Sequence, residues 1–228
     1  MENRRCGYTM EDTFGLKVIS TLVKGAEACI YLVNFFGQKA ILKYREPKQY
    51  RNRVLDTKIR SERTILEARL IARACLAGVN APTVFAVSKV HSSILMEYIE
   101  GVNLLKVDEK MLLTYVPTIA SDIGVLHKNG IVHGDPTLAN IIISNGDIFF
   151  IDFGLGEFSY DTEHRAVDVN LFLKVCQALK PNIYNDILAM FKENYFKTLG
   201  QQQGEQVLDR VKQIRMRGRY VDERREKN

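Results

Sequence analysis

No apolar run in the 228 residues approaches the roughly 20 needed to span a bilayer, so no membrane-crossing segment is expected. The chain opens on Met1-Glu-Asn-Arg-Arg-Cys, with basic residues but no apolar stretch behind them, and a secretory signal is not expected either. Cysteine is sparse. Cys6, Cys29, Cys75 and Cys176 lie far apart and form no C-x-x-C pair, which speaks against both a zinc site and a disulfide framework. A reducing, cytoplasmic setting is the simplest expectation. Internal repeats and low-complexity segments are missing too. What remains is ordinary globular composition, 46% hydrophobic and 26% charged, in a chain long enough for a sizeable core in one domain or two small lobes.

The formal net charge of +5 is unevenly placed. Lys39 to Arg63 holds nine basic and three acidic residues, and Arg210 to Lys227 holds eight and three, so these segments carry +6 and +5 and the remainder −6. Positive charge gathered in this way fits a polyanion such as RNA, or an acidic protein surface. A solvated helix face explains the first segment equally well; for the tail a functional role is favoured.

Lys17 to Val23, Cys29 to Phe36 and Gln38 to Tyr44 read as strands, the last two joined at Gly37. Asn52 to Ala77 reads as a long helix with Ile59, Ile65, Leu66, Leu70, Ile71 and Ala74 at helical spacing and Gly78 as its stop. Pro82 to Ser88 and Ser93 to Ile99 are further strands. Beyond Glu100 the texture is helical: Met111 to Asn129, Arg165 to Leu179, Ile183 to Leu199 and Glu205 to Met216. One hairpin is expected there, Asn140 to Ile143 and Ile148 to Ile151 around Asn145-Gly146. The expected class is α+β: a β-rich N-lobe with a long helix over residues 1–98, then a reduced helical C-lobe over 99–228, with a ligand-binding cleft between them.

Chemistry concentrates in Ile131-Val-His-Gly-Asp-Pro-Thr-Leu-Ala-Asn140 and Ile151-Asp-Phe-Gly154. An Asp and an Asn five positions apart, followed by Asp-Phe-Gly across a tight hairpin, match the catalytic loop and metal-binding motif of kinases, with His-Gly-Asp in place of His-Arg-Asp. Phosphoryl transfer needs positioning and charge neutralisation more than covalent chemistry. Asp152 offers Mg²⁺ a hard carboxylate, Asn140 a neutral oxygen, and Asp135 an acceptor for the proton of the attacking hydroxyl or water. Taken singly, Asp-Phe-Gly reads as a surface turn and Asp135 as a helix cap; the ordered set does not.

A kinase reading requires a lysine on the third strand and a glutamate on the next helix. Ala40-Ile-Leu-Lys43 supplies the first. Glu67 is preferred for the second over its rival Glu62. Lys43 is then expected to hold the α- and β-phosphates of ATP, aimed by Glu67. The phosphate-covering turn is Lys24-Gly-Ala-Glu-Ala28, which lacks G-x-G-x-x-G but in which Gly25 allows close backbone approach, so Gly25, Ala26, Glu27 and Ala28 join the expected ATP-binding set. Glu97-Tyr-Ile99, with Met96 behind it, is the expected hinge whose backbone, at Glu97 and Ile99, meets adenine.

With these residues in view the chain resembles the small atypical kinase subunit of the KEOPS tRNA-modification complex, in its compact archaeal single-subunit form. The resemblance covers nearly the whole chain. It rests on Gly25-Ala-Glu-Ala, Lys43-Tyr-Arg45, Glu67-Ala-Arg69, His133-Gly-Asp-x-Thr-x-x-Asn140, Asp152-Phe-Gly-Leu155, Arg165-Ala-Val-Asp168 and Arg215-Met-Arg-Gly-Arg219. It implies ATP hydrolysis or limited Ser/Thr phosphorylation with ATP and Mg²⁺. It also implies partnership with the threonylcarbamoyl-transferring subunit and other small KEOPS subunits in making threonylcarbamoyladenosine, and contact with tRNA, directly or through the complex. The chain departs from the family at Pro136, where the family has Leu, and at Tyr220, where the tail would continue with Lys. Proline biases the preceding Asp135 away from helical geometry, which bears on turnover rather than fold.

Few residues separate Gly154 from Ala166, leaving no room for a long activation segment or an Ala-Pro-Glu anchor, so a broad protein-substrate range is not expected. Two alternatives stay open. One is a small-molecule phosphotransferase of aminoglycoside type, which shares His-Gly-Asp but usually has helical insertions that the short C-terminal half lacks. The other is a non-catalytic scaffold that binds ATP, against which stand Lys43, Asp135, Asn140 and Asp152.

Overall fold

The computed structural model describes residues 14–225, with side chains described to Arg217. The N-terminal basic stretch with Cys6, and the side chains of Gly218-Arg-Tyr220, lie outside the described residues. Two compact units divide the chain: residues 1–72 with 82–99, and residues 73–81 with 100–228.

The first unit is built on a five-stranded antiparallel sheet of order β1-β2-β3-β5-β4, from β1 (Val18–Lys24), β2 (Cys29–Phe35), β3 (Gln38–Tyr44), β4 (Val84–Ser88) and β5 (Ser93–Glu97). Alternation sorts its side chains. Cys29, Tyr31, Val33, Ala40, Leu42 and Leu95 form an apolar cluster on one face, joined by Val18, Phe35, Tyr44 and Ala86. The opposite register of β3 sends Lys43, and beyond the strand Arg45, to helix α1 (Arg53–Leu76). Asn52 caps α1, its side-chain oxygen accepting from Val54 N at 2.9 Å, and Gly78, with φ of 91°, follows its end. The β2–β3 turn takes positive φ at both Phe36 and Gly37, as a tight hairpin requires.

In the second unit, α2 (Glu109–Lys128), α3 (Thr162–Leu179), α4 (Tyr184–Leu199) and α5 (Gln201–Arg225) enclose the core. Leu112, Val116, Ile119, Ile123, Phe172, Phe191 and Tyr195 are almost wholly buried, and Phe191 stacks on both Phe172 and Tyr195. Asp108 caps α2 by accepting from Met111 N at 2.7 Å. The expected hairpin is present as β8 (Ile141–Ser144) and β9 (Asp147–Phe150), with φ of 52° at Asn145 and 89° at Gly146. Three two-residue strands complete the unit: β6 (Val102–Asn103) beside β8, and β7 (Ile131–Val132) paired with β10 (Glu157–Phe158). Among the described residues no helix is long and apolar enough to cross a membrane.

Candidate active site

In the first unit Lys43 and Glu67 meet. Lys43 Nζ donates to Glu67 Oε1 at 2.6 Å, with both side chains at 5% exposure or less. Glu62, the rival position, points outward, 63% exposed and 4.0 Å from Lys58. A buried carboxylate costs several kcal/mol to desolvate unless it is well paired, so this burial requires Lys43 and the second cation found there, Arg45, whose Nη2 donates to Glu67 Oε2 at 2.7 Å. The turn between β1 and β2 closes through Gly25 N to Ala28 O at 3.0 Å. Glu27, within it, faces Arg63 at 3.4 Å. At the end of β5, Glu97 exchanges bonds with Thr83: its N–H donates to Thr83 O at 2.9 Å and its Oε2 accepts from Thr83 N at 3.0 Å. Ile99 ends this unit, 9% exposed.

In the second unit β7 leads directly into the loop that carries Asp135. Asn140 Nδ2 donates to Asp135 Oδ2 at 2.9 Å and to the Asp135 carbonyl at 3.0 Å. That carbonyl also accepts from Thr137 N at 2.8 Å, a bond that spans Pro136 without asking it for an N–H. The proline is therefore accommodated in the loop. Ile151 N donates to the Asn140 carbonyl at 2.9 Å, which brings the start of the Asp-Phe-Gly turn against the end of the catalytic loop. Asp152 is exposed and takes φ of 62°, a conformation that costs a non-glycine residue of order 1–3 kcal/mol and persists only where surroundings impose it. Here Phe153, fully buried with its ring 4.3 Å from that of His133, and Gly154 N, which donates to Asp152 Oδ1 at 3.1 Å, impose it.

Below the loop lies a polar knot that the sequence motifs marked without giving a role. Asp168 of α3 is 1% exposed. Its Oδ2 accepts from His133 N at 2.7 Å and its Oδ1 from Gly134 N at 2.8 Å. His127 Nε2 lies 3.3 Å from Oδ2, and His127 Nδ1 lies 2.7 Å from the Tyr195 hydroxyl. With Nε2–H donated to Asp168 and Nδ1 accepting a hydrogen bond from the Tyr195 hydroxyl, all three groups are satisfied. Burial pushes the His133 imidazole below its ordinary pKa, against the pull of Asp168, Asp152 and Asp135, so the ring stays neutral and its Nδ1 accepts from Asp135 N at 3.3 Å. Gly134 has φ of 85°, and a Cβ there would collide with the Leu155 backbone, so no other residue fits between the knot and the segment after Asp-Phe-Gly.

Hard oxygens suit Mg²⁺. Asp152 presents a carboxylate, and no described hydrogen bond uses Asn140 Oδ1. Among the described residues no group of three or more His, Cys, Asp or Glu side chains could hold a metal ion.

A protein of Pyrococcus abyssi named KEOPS complex subunit Bud32 is 38% identical over 86% of this chain and 94% of its own length. The chain belongs to the Bud32 family. A relative from Archaeoglobus fulgidus, named probable serine/threonine-protein kinase BUD32 homolog, is 37% identical over 81% of this chain and 90% of its own. Against a Methanothermobacter thermautotrophicus protein named probable bifunctional tRNA threonylcarbamoyladenosine biosynthesis protein, identity is 38% over 88% of this chain, which spans only 36% of that protein. Over residues 10–193 the chain also matches, and falls within, the family whose model is described as Lipopolysaccharide core biosynthesis protein (WaaY). Among solved structures, the Rio2 kinase from Chaetomium thermophilum, in an ADP/Mg²⁺-phosphoaspartate complex, aligns with a TM-score of 0.61 at 17% identity over 86% of this chain and 72% of that one. The Mycobacterium tuberculosis PknI kinase domain aligns at 0.52 over 87% and 96%. The kinase-like fold expected from the motifs is therefore borne out, and so is the resemblance to the KEOPS kinase subunit.

Proposed function

We propose that this Bud32-family chain is an ATP-binding, Mg²⁺-dependent atypical serine/threonine kinase and ATPase that serves the KEOPS complex in threonylcarbamoyladenosine modification of tRNA. The names of its relatives support the complex and the pathway. The observation that carries the chemistry is the Asp135–Asn140 pair, a carboxylate whose Oδ2 is held by an amide while its Oδ1 takes no part in that bond.

Lys43 Nζ, aimed by Glu67, would meet α- and β-phosphate oxygens, under the turn Gly25, Ala26, Glu27 and Ala28. The backbone at Glu97 and Ile99 would meet adenine. Asp152 and Asn140 Oδ1 would hold Mg²⁺, which when bound neutralises charge on the triphosphate. Asp135 Oδ1 would take the proton from the attacking hydroxyl or water, while Asn140 keeps Oδ2 from rotating into its place. The segment after Gly154 is short and stitched to β7, with Ser159 N donating to Gly130 O at 2.9 Å, and this favours water or a few local acceptors over diverse protein substrates. Asp135→Asn removes the proton acceptor and keeps the shape. It is expected to lower kcat by about 10²- to 10⁴-fold while nucleotide affinity, read by fluorescence titration, stays near the wild-type value.

The deciding experiment is ATP hydrolysis with and without the threonylcarbamoyl-transferring subunit, tRNA being added second. Clear stimulation by that subunit is expected. Phosphorylation of a sugar-containing acceptor without such stimulation would favour a second reading, which the lipopolysaccharide-core family match supports: a small-molecule phosphotransferase. Nucleotide binding with no turnover in either condition would favour a scaffold.

A further inference from the structure

Helix α1 carries Asp56, Arg60, Arg63 and Glu67 at intervals of four, three and four residues, which sets them on one face. Lys43 and Arg45 are two residues apart along the β3 strand and its extension, which sets them on one side of the sheet. The two rows meet as an alternating chain of charge. Glu67 is shared, Oε1 with Lys43 and Oε2 with Arg45. Arg45, 3% exposed, also approaches Glu27 Oε2 with Nη1 at 3.8 Å, and Glu27 Oε2 accepts from Arg63 Nη1 at 3.4 Å. Arg60 donates to the Arg45 carbonyl at 3.2 Å and to Asp56 at 2.6 Å. Lys48 Nζ donates to the Ala26 carbonyl at 2.5 Å. Turn 25–28 is thus tied to α1 and β3 from outside, by Arg45 and Arg63 through a side chain and by Lys48 through the backbone.

We propose that Arg45 is a positioning residue for nucleotide binding: its guanidinium seats Glu67 behind Lys43 and, through Glu27, clamps the phosphate-covering turn. The inference rests on the nucleotide reading given above. A guanidinium holds five donors in a rigid, wide fork, so from one orientation its two outer nitrogens face two separate carboxylates. The clamp also answers two features of the sequence. The turn has one glycine where a glycine-rich loop has three, so it needs anchoring by side chains to hold a phosphate-covering shape. And when Lys43 turns toward a phosphate, Glu67 keeps a buried cationic partner in Arg45, so α1 stays seated without further signals.

The test uses Arg45→Met, Arg45→Lys and Glu27→Gln in the full chain, with hydrogen exchange of residues 24–29 measured without nucleotide and binding of a fluorescent ATP analogue measured separately. Arg45→Met is expected to weaken nucleotide binding by at least about tenfold, the worth of its hydrogen bond to the Glu67 carboxylate, and to speed exchange in the turn by about threefold, the scale of its ion pair with exposed Glu27. Arg45→Lys recovers part of the affinity but leaves exchange in the turn fast, because it reaches Glu67 but not Glu27. Glu27→Gln alters a side chain that is 59% exposed and so spares the fold; it speeds exchange in the turn alone and costs about threefold in affinity, the scale of an exposed pair. A merely structural Arg45 would lower the melting temperature and leave the turn and nucleotide affinity of the folded protein unchanged. That outcome, or wild-type exchange in Glu27→Gln, overturns the clamp. A wild-type chain that binds no nucleotide, with exchange responding as described, overturns the nucleotide reading and upholds the clamp.

Discussion

Replacing Asp152 with Ala is expected to lower Mg²⁺-dependent ATP turnover by about a thousandfold or more, because losing the proposed metal carboxylate would remove several kcal/mol of charge stabilisation from the transition state. The side chain is exposed and buried Phe153 holds the turn, while the carboxylate adds one bond, from Gly154 N to Oδ1 at 3.1 Å, and Ala at this positive φ adds about 1–2 kcal/mol of strain. The variant is therefore expected to unfold at a slightly lower urea concentration than wild type and to stay folded under assay conditions. Asp152→Asn separates charge from geometry. Asn tolerates the positive φ and keeps an oxygen in place. If the negative charge on the metal matters, the Asn variant falls nearly as far as the Ala variant; if shape alone matters, it stays close to wild type. Steady-state hydrolysis across a Mg²⁺ titration reads both, and unchanged turnover in Asp152→Ala would remove the metal assignment.

Asp168→Ala has a different signature. It leaves His133 N and Gly134 N without their buried acceptor and His127 facing a void, and breaking a buried charged network by deleting one partner costs about 3–5 kcal/mol. Since this side chain ties α3 to the loop, turnover is expected to fall together with stability. Asp168→Asn is informative because an amide keeps one acceptor and turns its NH₂ toward either His133 N–H or Gly134 N–H, a donor against a donor. It is expected to lose about 1–3 kcal/mol by urea unfolding, with turnover reduced in the protein that remains folded. Wild-type stability in both variants would mean that the knot does not hold the loop.

The contrast between these residues explains how much could be read in advance. Short-range chemistry was open to reading. Asn145-Gly146 turned the chain as its φ preferences dictate, and Gly78 follows the end of α1. Motif resemblance favours Glu67 over Glu62, and burial separates the two in the structure. Longer-range satisfaction of polar groups could not be read. Asp56 and Asp168 look like surface charges in a periodic helix, and their burial is stabilised by Arg60 one turn along α1 and the Lys48 N–H for Asp56, and by the His133-Gly134 backbone for Asp168. Two-residue strands such as β7 and β10 are too short to leave a period of two. Within the basic segments the charges divide by partner. Arg45, Lys48, Arg60 and Arg63 serve internal contacts, and Arg215 of the tail donates to Asn170 and the Tyr184 hydroxyl, while Arg217 is 64% exposed.

One structure determination bears on all of this at once: a crystal of the chain with a non-hydrolysable ATP analogue and Mg²⁺. Lys43 Nζ is expected within hydrogen-bonding distance of an α- or β-phosphate oxygen, and the cation on Asp152 and Asn140. A triphosphate bound away from Lys43, or a cation that ignores Asp152, would contradict the proposed chemistry.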